Sequence, residues 1–382
     1  MDNNNTNRLS KTNPFRWLGR IMLIIAAVIL GGIVLIVGIL LISSSGSPEP
    51  ILDEDGNILT GSISEKIFVE INGVKQGMFI KSKNGQNPVL LYLHGGMPEY
   101  FLTNKYPATL EDYFTVVWWE QRGSGISYSE NIPQETINLE QFISDTIEMT
   151  NYLRDRFGKE KIYLMGHSGG TFIGIQTAAR APELYYAYIG MAQMTYQLES
   201  EKLAYDYMLQ VTTDTGNRKL KEKLEENPVT IENGIPESYN VIRDGAMHSL
   251  GIGTTHQMKS VITGIFLPSL MNRGYTFMEK INMWRGKSKS GISSLWSEMM
   301  DIDLRTQIFS LEIPVYFFNG IYDYTVSSSM AEEYFKDIHA PIKGFYWFEQ
   351  SAHSPLFEEP EKVRTIIQED ILLLKNDLAE VK

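Results

Sequence analysis

The segment Gly166-His167-Ser168-Gly169-Gly170 places a serine between glycines, directly after the apolar run Lys161 to Met165 and before the helix-like stretch Thr171 to Arg180. A serine at such a strand-to-helix turn is forced into a tight, strained backbone, and glycines are needed because side chains there would clash with the flanking elements. The turn lifts the Ser168 hydroxyl into the open. The Gly169 N–H, at the helix start, points where a carbonyl oxygen would become an oxyanion. A hydroxyl becomes a useful nucleophile only when a base takes its proton, so the chain should also supply a histidine oriented by a carboxylate. There are six histidines. His94 and His167 belong to glycine turns, His248 and His256 fall in a helical interval, and His339 precedes the strand Gly344 to Phe348. His353 follows that strand, in the loop Glu349-Gln350-Ser351-Ala352-His353, and is the expected base. Asp323 follows the strand Pro314 to Phe318 by a similar loop, Asn319-Gly320-Ile321-Tyr322-Asp323, and is the expected acid. Asp301, Asp303 and Glu349 are weaker substitutes, and Asp323 could instead cap a helix over Ser327 to Phe335.

These side chains lie far apart in sequence, so a sheet must gather them. Lys66 to Asn72 and Val74 to Ser82 read as a hairpin turning at Asn72-Gly73. Short apolar runs typical of buried parallel strands follow: Pro88 to Leu93, Phe114 to Trp119, Lys161 to Met165, Tyr185 to Ile189, Pro314 to Phe318 and Gly344 to Phe348. A helix is predicted over Leu139 to Phe157, where Leu139, Phe142, Ile143, Ile147, Leu153 and Phe157 recur near a 3.6 period. Strands alternating with helices give a mostly parallel α/β sheet, whose ligands gather at the carboxyl ends of strands. Residues 193–305 break the rhythm. They hold no convincing strand, carry 9 of the 17 methionines, and read as amphipathic helices inserted between the sixth and seventh strands.

Leu93-His94-Gly95-Gly96 offers a second backbone donor for an oxyanion. Together with Trp118-Trp119-Glu120-Gln121-Arg122-Gly123-Ser124-Gly125-Ile126-Ser127 and the Gly-His-Ser-Gly-Gly turn, it resembles the proline iminopeptidase branch of the α/β-hydrolase superfamily. The likeness runs from about residue 67 to 368, outside the insertion. It implies an α/β-hydrolase fold with a helical cap at 193–305 over a core of 61–192 and 306–382. It further implies Ser168, Asp323 and His353 as a triad in the order nucleophile, acid, base, with the N–H groups of Gly96 and Gly169 as the oxyanion hole. The Gln121-Arg122-Gly123 turn is structural in such enzymes. Two departures stand out: Met97-Pro98-Glu99 replaces the usual Pro-Gly after the His-Gly-Gly, and Glu120 replaces an aspartate. Aminopeptidases of this kind hold the substrate's free amine with cap carboxylates, for which Glu199, Glu201 and Glu298 are candidates by location. No metal or organic cofactor is expected. The expected function is serine acyl transfer on short peptides, with small acyl esters as the alternative substrate and a non-catalytic binding protein as a third reading.

Composition sets the surroundings of this chemistry. The absence of cysteine removes disulfides, thiolate metal sites and a cysteine nucleophile. A net charge of −12 argues against nucleic-acid binding. The charge is uneven: Arg8, Lys11, Arg16 and Arg20 precede an uncharged run from Ile21 to Ile42, and Glu49, Asp53, Glu54 and Asp55 follow it. At about 1.5 Å per residue that run spans about 33 Å, enough for a bilayer core and longer than a signal-peptide h-region. The expected arrangement is a cytoplasmic tail at 1–20, a transmembrane helix at 21–43, a flexible linker at 44–60 and an extracytoplasmic body. Residues 1–7 are expected to be disordered.

Overall fold

The computed structural model describes residues 14–381; the expected disorder of residues 1–7 and most of the expected 1–20 tail lie outside them. A helix α1 (Pro14–Ile42) opens the described chain, and within it Trp17–Ile42 is long and apolar enough to cross a membrane. It starts earlier than the predicted span because Trp17 and Leu18 extend the apolar surface toward the N-terminus. The first residues of the segment read as a flexible linker are docked against the body. Ser45 pairs with Thr276, the Gly46 N–H donates to the Arg273 carbonyl at 3.0 Å, and the Lys280 ammonium donates to the Ser43 carbonyl at 2.8 Å. Small polar residues have little to bury, but their backbone groups still need partners, and the body supplies them.

The strands are β1 (Ile63–Ile71), β2 (Val74–Ser82), β3 (Val89–Leu93), β4 (Thr115–Glu120), β5 (Ile162–His167), β6 (Tyr185–Met191), β7 (Val315–Gly320) and β8 (Lys343–Phe348). They form one sheet in the order β1-β2-β4-β3-β5-β6-β7-β8. The β1–β2 and β2–β4 pairs are antiparallel and the rest parallel. Asn72 and Gly73 both take positive φ (45° and 72°), as a two-residue hairpin turn requires. The helices are α2 (Leu139–Phe157), α3 (Gly169–Arg180), then α4 (Gln197–Asp214), α5 (Arg218–Glu225), α6 (Glu237–Leu250), α7 (Leu267–Met271), α8 (Phe277–Lys289) and α9 (Trp296–Asp301) in the insertion, and finally α10 (Ser328–Asp337), α11 (Pro355–Glu358) and α12 (Pro360–Ile366). Asn138 caps α2 by accepting from the Gln141 N–H at 2.9 Å, and Gly158 at φ 60° ends it.

Apolar side chains fill both faces of the sheet. Leu91, Leu93, Leu164, Val315 and Phe317 pack with Phe142, Phe172, Ile173 and Phe335 on one face; Leu90, Tyr92, Met165, Ile189 and Phe318 pack with Leu356, Val363 and Ile367 on the other. Burying each large apolar side chain contributes about 1.5–3 kcal/mol, which explains why the parallel strands read as continuous apolar runs. The insertion has its own small core, with Ala204, Tyr205, Met208, Leu224, Tyr239 and Met247 buried together.

The strand order turns back on itself at β3, which lies between β4 and β5. Chain leaving β3 and chain leaving β5 therefore part to opposite sides, opening a crevice beyond their carboxyl ends. Gly95 and Ser168 stand there.

Candidate active site

Ser168 takes φ 55° and ψ −126°, a region that costs a non-glycine residue about 1–3 kcal/mol. Its neighbours explain how the turn closes. A Cβ on Gly166 would meet the Gly170 carbonyl oxygen at 2.7 Å, and one on Gly170 would meet the Leu93 carbonyl oxygen at 2.1 Å. Only glycine lets β3, β5 and α3 approach this closely. The Ser168 N–H donates to the Met191 carbonyl at 3.1 Å, tying the turn to β6.

His353 Nδ1 lies 2.9 Å from Asp323 Oδ2. Oδ1 of the same carboxylate accepts from the Thr325 and Val326 N–H groups at 2.9 and 3.0 Å, so Asp323 closes its own turn and is not the cap of α10. That cap is Ser327, which accepts from the Met330 N–H. With Nδ1–H donating to the carboxylate, His353 Nε2 keeps its lone pair. Ser168, Gly169, Gly96 and His353 all line one cavity of about 500 Å³, beneath the inserted helices. Asp323 is buried behind His353. His339 is exposed and pairs its backbone with Phe309 and Leu311, away from the cavity.

The loop after β3 is set by His94. Its Nδ1 lies 2.8 Å from the Gly95 carbonyl oxygen, and its Nε2 accepts from the Gln121 N–H at 3.2 Å. Burial pushes His94 down to about 4, so it is neutral near pH 7, with the proton on Nδ1. The Gly95 carbonyl and the Gly96 N–H belong to one trans peptide unit and point opposite ways. Fixing the carbonyl on His94 therefore fixes the direction of the Gly96 N–H. Ser293, from the insertion, donates its hydroxyl to the Gly96 carbonyl at 2.8 Å.

A pair that the sequence reading missed sits beside it. His167 Nδ1 lies 2.6 Å from Glu99 Oε1, and its Nε2 lies 2.7 Å from the His353 carbonyl oxygen. Both partners can only accept, so His167 carries both protons. Burial works against that charge, but the Glu99 carboxylate outweighs it and raises His167 above its usual range. Burial likewise pushes Glu99 up, and His167 together with the Tyr92 hydroxyl draws it below the carboxylate norm. The signal available in sequence was the departure at Met97-Pro98-Glu99 itself, which puts a carboxylate just after the His-Gly-Gly turn.

Glu120, the other departure, is buried under the Gly125 turn. It accepts from the Ile126 N–H at 2.6 Å and from the Tyr275 hydroxyl, which comes from the insertion. Burial raises it to about 8. Arg122 forms a buried two-point pair with Asp145 at 2.7 and 2.9 Å and takes no part in the cavity wall. Glu358 holds the His353 loop from below, accepting from the Ala352 N–H at 2.9 Å and, across to the insertion, from the His256 N–H at 2.7 Å.

The three candidate glutamates are not brought to the cavity. Glu201 is buried against Arg243, with contacts at 2.8 and 2.9 Å; Glu199 pairs with Arg305 at 2.6 Å; Glu298 lies on α9, outside the wall. The insertion instead presents Asn240, Arg243, Asp244 and Lys287 to the cavity, among Met247, Trp284 and Trp296. Asp244 bonds Arg243 Nη1 at 2.8 Å through an otherwise open side chain. Lys287 forms no hydrogen bond or ion pair among the described residues.

Residues 88–222 match the family model for the alpha/beta hydrolase fold. The chain is 29% identical over 298 residues to a Bacillus subtilis (strain 168) protein named "Probable aminopeptidase YbaC", covering 76% of this chain and 91% of that one. It is 23% identical over 326 residues to a proline iminopeptidase of Saccharolobus solfataricus, covering 80% and 92%. A solved proline iminopeptidase-related protein from Thermus thermophilus superposes with a TM-score of 0.56 at 16% identity, covering 80% of this chain and 96% of that one. The chain has the α/β-hydrolase fold. Within that class it is similar to aminopeptidases and proline iminopeptidases.

Proposed function

We propose that this chain is a membrane-anchored serine hydrolase of the aminopeptidase kind, acting on short peptides through Ser168, His353 and Asp323. The observation that carries the reading is the 2.9 Å contact of His353 with Asp323, joined to a strained Ser168 on the same cavity wall as His353. His353 Nε2 takes the Ser168 proton as Oγ attacks the substrate carbonyl carbon; Asp323 holds the ring and balances the imidazolium. The oxyanion is received by the N–H groups of Gly96 and Gly169. His353 then protonates the leaving amine, and water releases the acyl group by the same steps. Residues 193–305 act as the cap over a core of 61–192 and 306–382. The apolar helix serves as the anchor, with a cytoplasmic N-terminus, because basic residues precede it and acidic ones follow.

A free substrate amine needs a carboxylate, since a desolvated ammonium must be paired. Asp244 takes the role that location suggested for Glu199, Glu201 and Glu298: it lines the cavity and has a carboxylate oxygen to spare. A second reading, hydrolysis of small acyl esters, is favoured by the largely apolar Met247, Trp284, Ile292 and Trp296 on the cavity wall. A panel of alanine and proline arylamides, their N-blocked forms and a butyrate ester separates the two. Turnover that requires the free amine supports the peptidase; equal or faster turnover of blocked and ester substrates overturns it.

A further inference from the structure

An apolar strip lies on the outside of the insertion. Val261, the π-helical turn Ile262–Phe266 and α7 form one continuous helical segment with two unlike faces. Val261 and Ile265 line the cavity. On the opposite face Ile262, Leu267 and Met271 are exposed, and Met278 at the start of α8 adds to them. Four large apolar residues together on the surface of an otherwise strongly acidic chain mark a contact surface. Lys105 and Lys259 are exposed beside it, Lys105 donating to the Thr263 carbonyl at 3.1 Å, and Arg273 is exposed with the Glu49 carboxylate 3.9 Å away. Apolar centre and basic rim suit a phospholipid surface, with side chains among the acyl boundary and ammonium or guanidinium groups at phosphate level.

The position of the strip names its partner. The end of α1 is bound to this part of the insertion: Gly46 and Ser45 to Arg273, Ser45 to Thr276, and Ser43 to Lys280. Met271 and Met278 are each within two residues of those contacts. Trp284, on the cavity wall, is six residues along α8 from Met278, about 9 Å at helical rise.

We infer that the face formed by Ile262, Leu267, Met271 and Met278 rests on an anionic phospholipid bilayer beside the span, and so brings the Val261–Ile265 wall of the cavity to the membrane surface. The inference rests on α1 crossing the membrane. It makes the body a second, shallow membrane contact and favours substrates that carry an apolar tail, which reach the cavity along the interface.

The chain has no cysteine, so single cysteines can be introduced into the full-length protein and labelled with bimane. Leu267→Cys, Met271→Cys and Met278→Cys test the strip. Phe309→Cys, at a position whose backbone pairs with His339, is the exposed control, and Val28→Cys reports the span. In vesicles of phosphatidylcholine and phosphatidylglycerol, lipids with a spin label near the headgroup should quench the three strip positions several-fold more than Phe309→Cys. A deep spin label should quench Val28→Cys. Strip positions quenched no more than Phe309→Cys, with Val28→Cys quenched, overturn the inference alone. An unquenched Val28→Cys overturns the anchoring and the inference with it.

Discussion

His167 donates through Nε2 to the main-chain oxygen of His353 at 2.7 Å, and through Nδ1 to Glu99 at 2.6 Å. The two rings lie 4.8 Å apart. The residue before the serine thus holds the backbone of the histidine that would serve it through its Nε2 proton, and holds Glu99 through the other.

Glu99→Gln removes the charge that keeps His167 protonated. Burial, which opposes the imidazolium, then prevails, and a neutral His167 can donate only one of its two bonds. His167 is raised by its partner, so the double contact is present at low pH and lost as pH rises through its folded value; without Glu99 that loss comes at lower pH. The alkaline limb of kcat should move toward acid, and kcat at neutral pH should fall by no more than about 10-fold, because the neutral Nε2–H tautomer still holds the His353 carbonyl while Nδ1 accepts from the introduced amide. A pH profile of arylamide turnover, with far-UV circular dichroism as a check of folding, measures both.

Two glycines of the site should respond oppositely to alanine. A Cβ at Gly170 meets backbone oxygens of Leu93 and His94 at 2.1 and 2.7 Å, which cannot step aside without moving β3. Gly170→Ala should cost about 3 kcal/mol or more and appear mainly as unfolded protein. At Gly96 the nearest atoms are Ser293 Oγ at 3.6 Å and Lys287 Nζ at 3.9 Å, ordinary contacts, so Gly96→Ala should change stability by less than about 1 kcal/mol. Denaturant titration of both variants decides it.

Glu120 should make the protein less stable at alkaline pH. Its carboxyl is raised by burial from 4.5 to about 8, so its contribution is fully present below 4.5 and is lost as pH rises through 8. Gln at this position can still accept from Ile126 and donate to Tyr275. Glu120→Gln should therefore narrow the difference in unfolding free energy between about pH 5 and about pH 8 by roughly 2–4 kcal/mol. A variant as pH-sensitive as the parent would refute the assignment.

Asp244→Asn tests amine recognition. Burial opposes its charge, but Arg243 and Lys287 hold its carboxyl below the usual range, so it is ionised when substrate arrives. An ion pair on a partly open wall is worth about 1 kcal/mol. KM for a free-amine arylamide should rise about 5-fold, with little change for a butyrate ester.

The strands and the serine turn were legible because their signals are local. Continuous apolar runs gave β3 to β8, Asn72-Gly73 gave the hairpin, and α2 was read from the helical period of its apolar residues, which ends where Asn138 and Gly158 cap it. The contact of Asp323 with His353 lies 30 residues apart in sequence, yet strand-end loops made it readable. What escaped depends on pairing across the fold. Glu201 was read as a helix residue and lies on α4, but nothing local reveals that it is buried against Arg243 on another helix. Glu99 stood out only as part of a departure from the family pattern, and its partners Tyr92 and His167 come together only in the fold. The linker seemed free because its docking partners, Arg273 to Lys280, lie more than two hundred residues away.

The most direct test of the account is labelling of the folded full-length protein with a fluorophosphonate probe. The wild type should carry one adduct, mapped by peptide mass to Ser168; Ser168→Ala should carry none, and His353→Ala should label far more slowly. A folded wild type that stays unlabelled, or a Ser168→Ala protein that labels as fast as its parent, would contradict it.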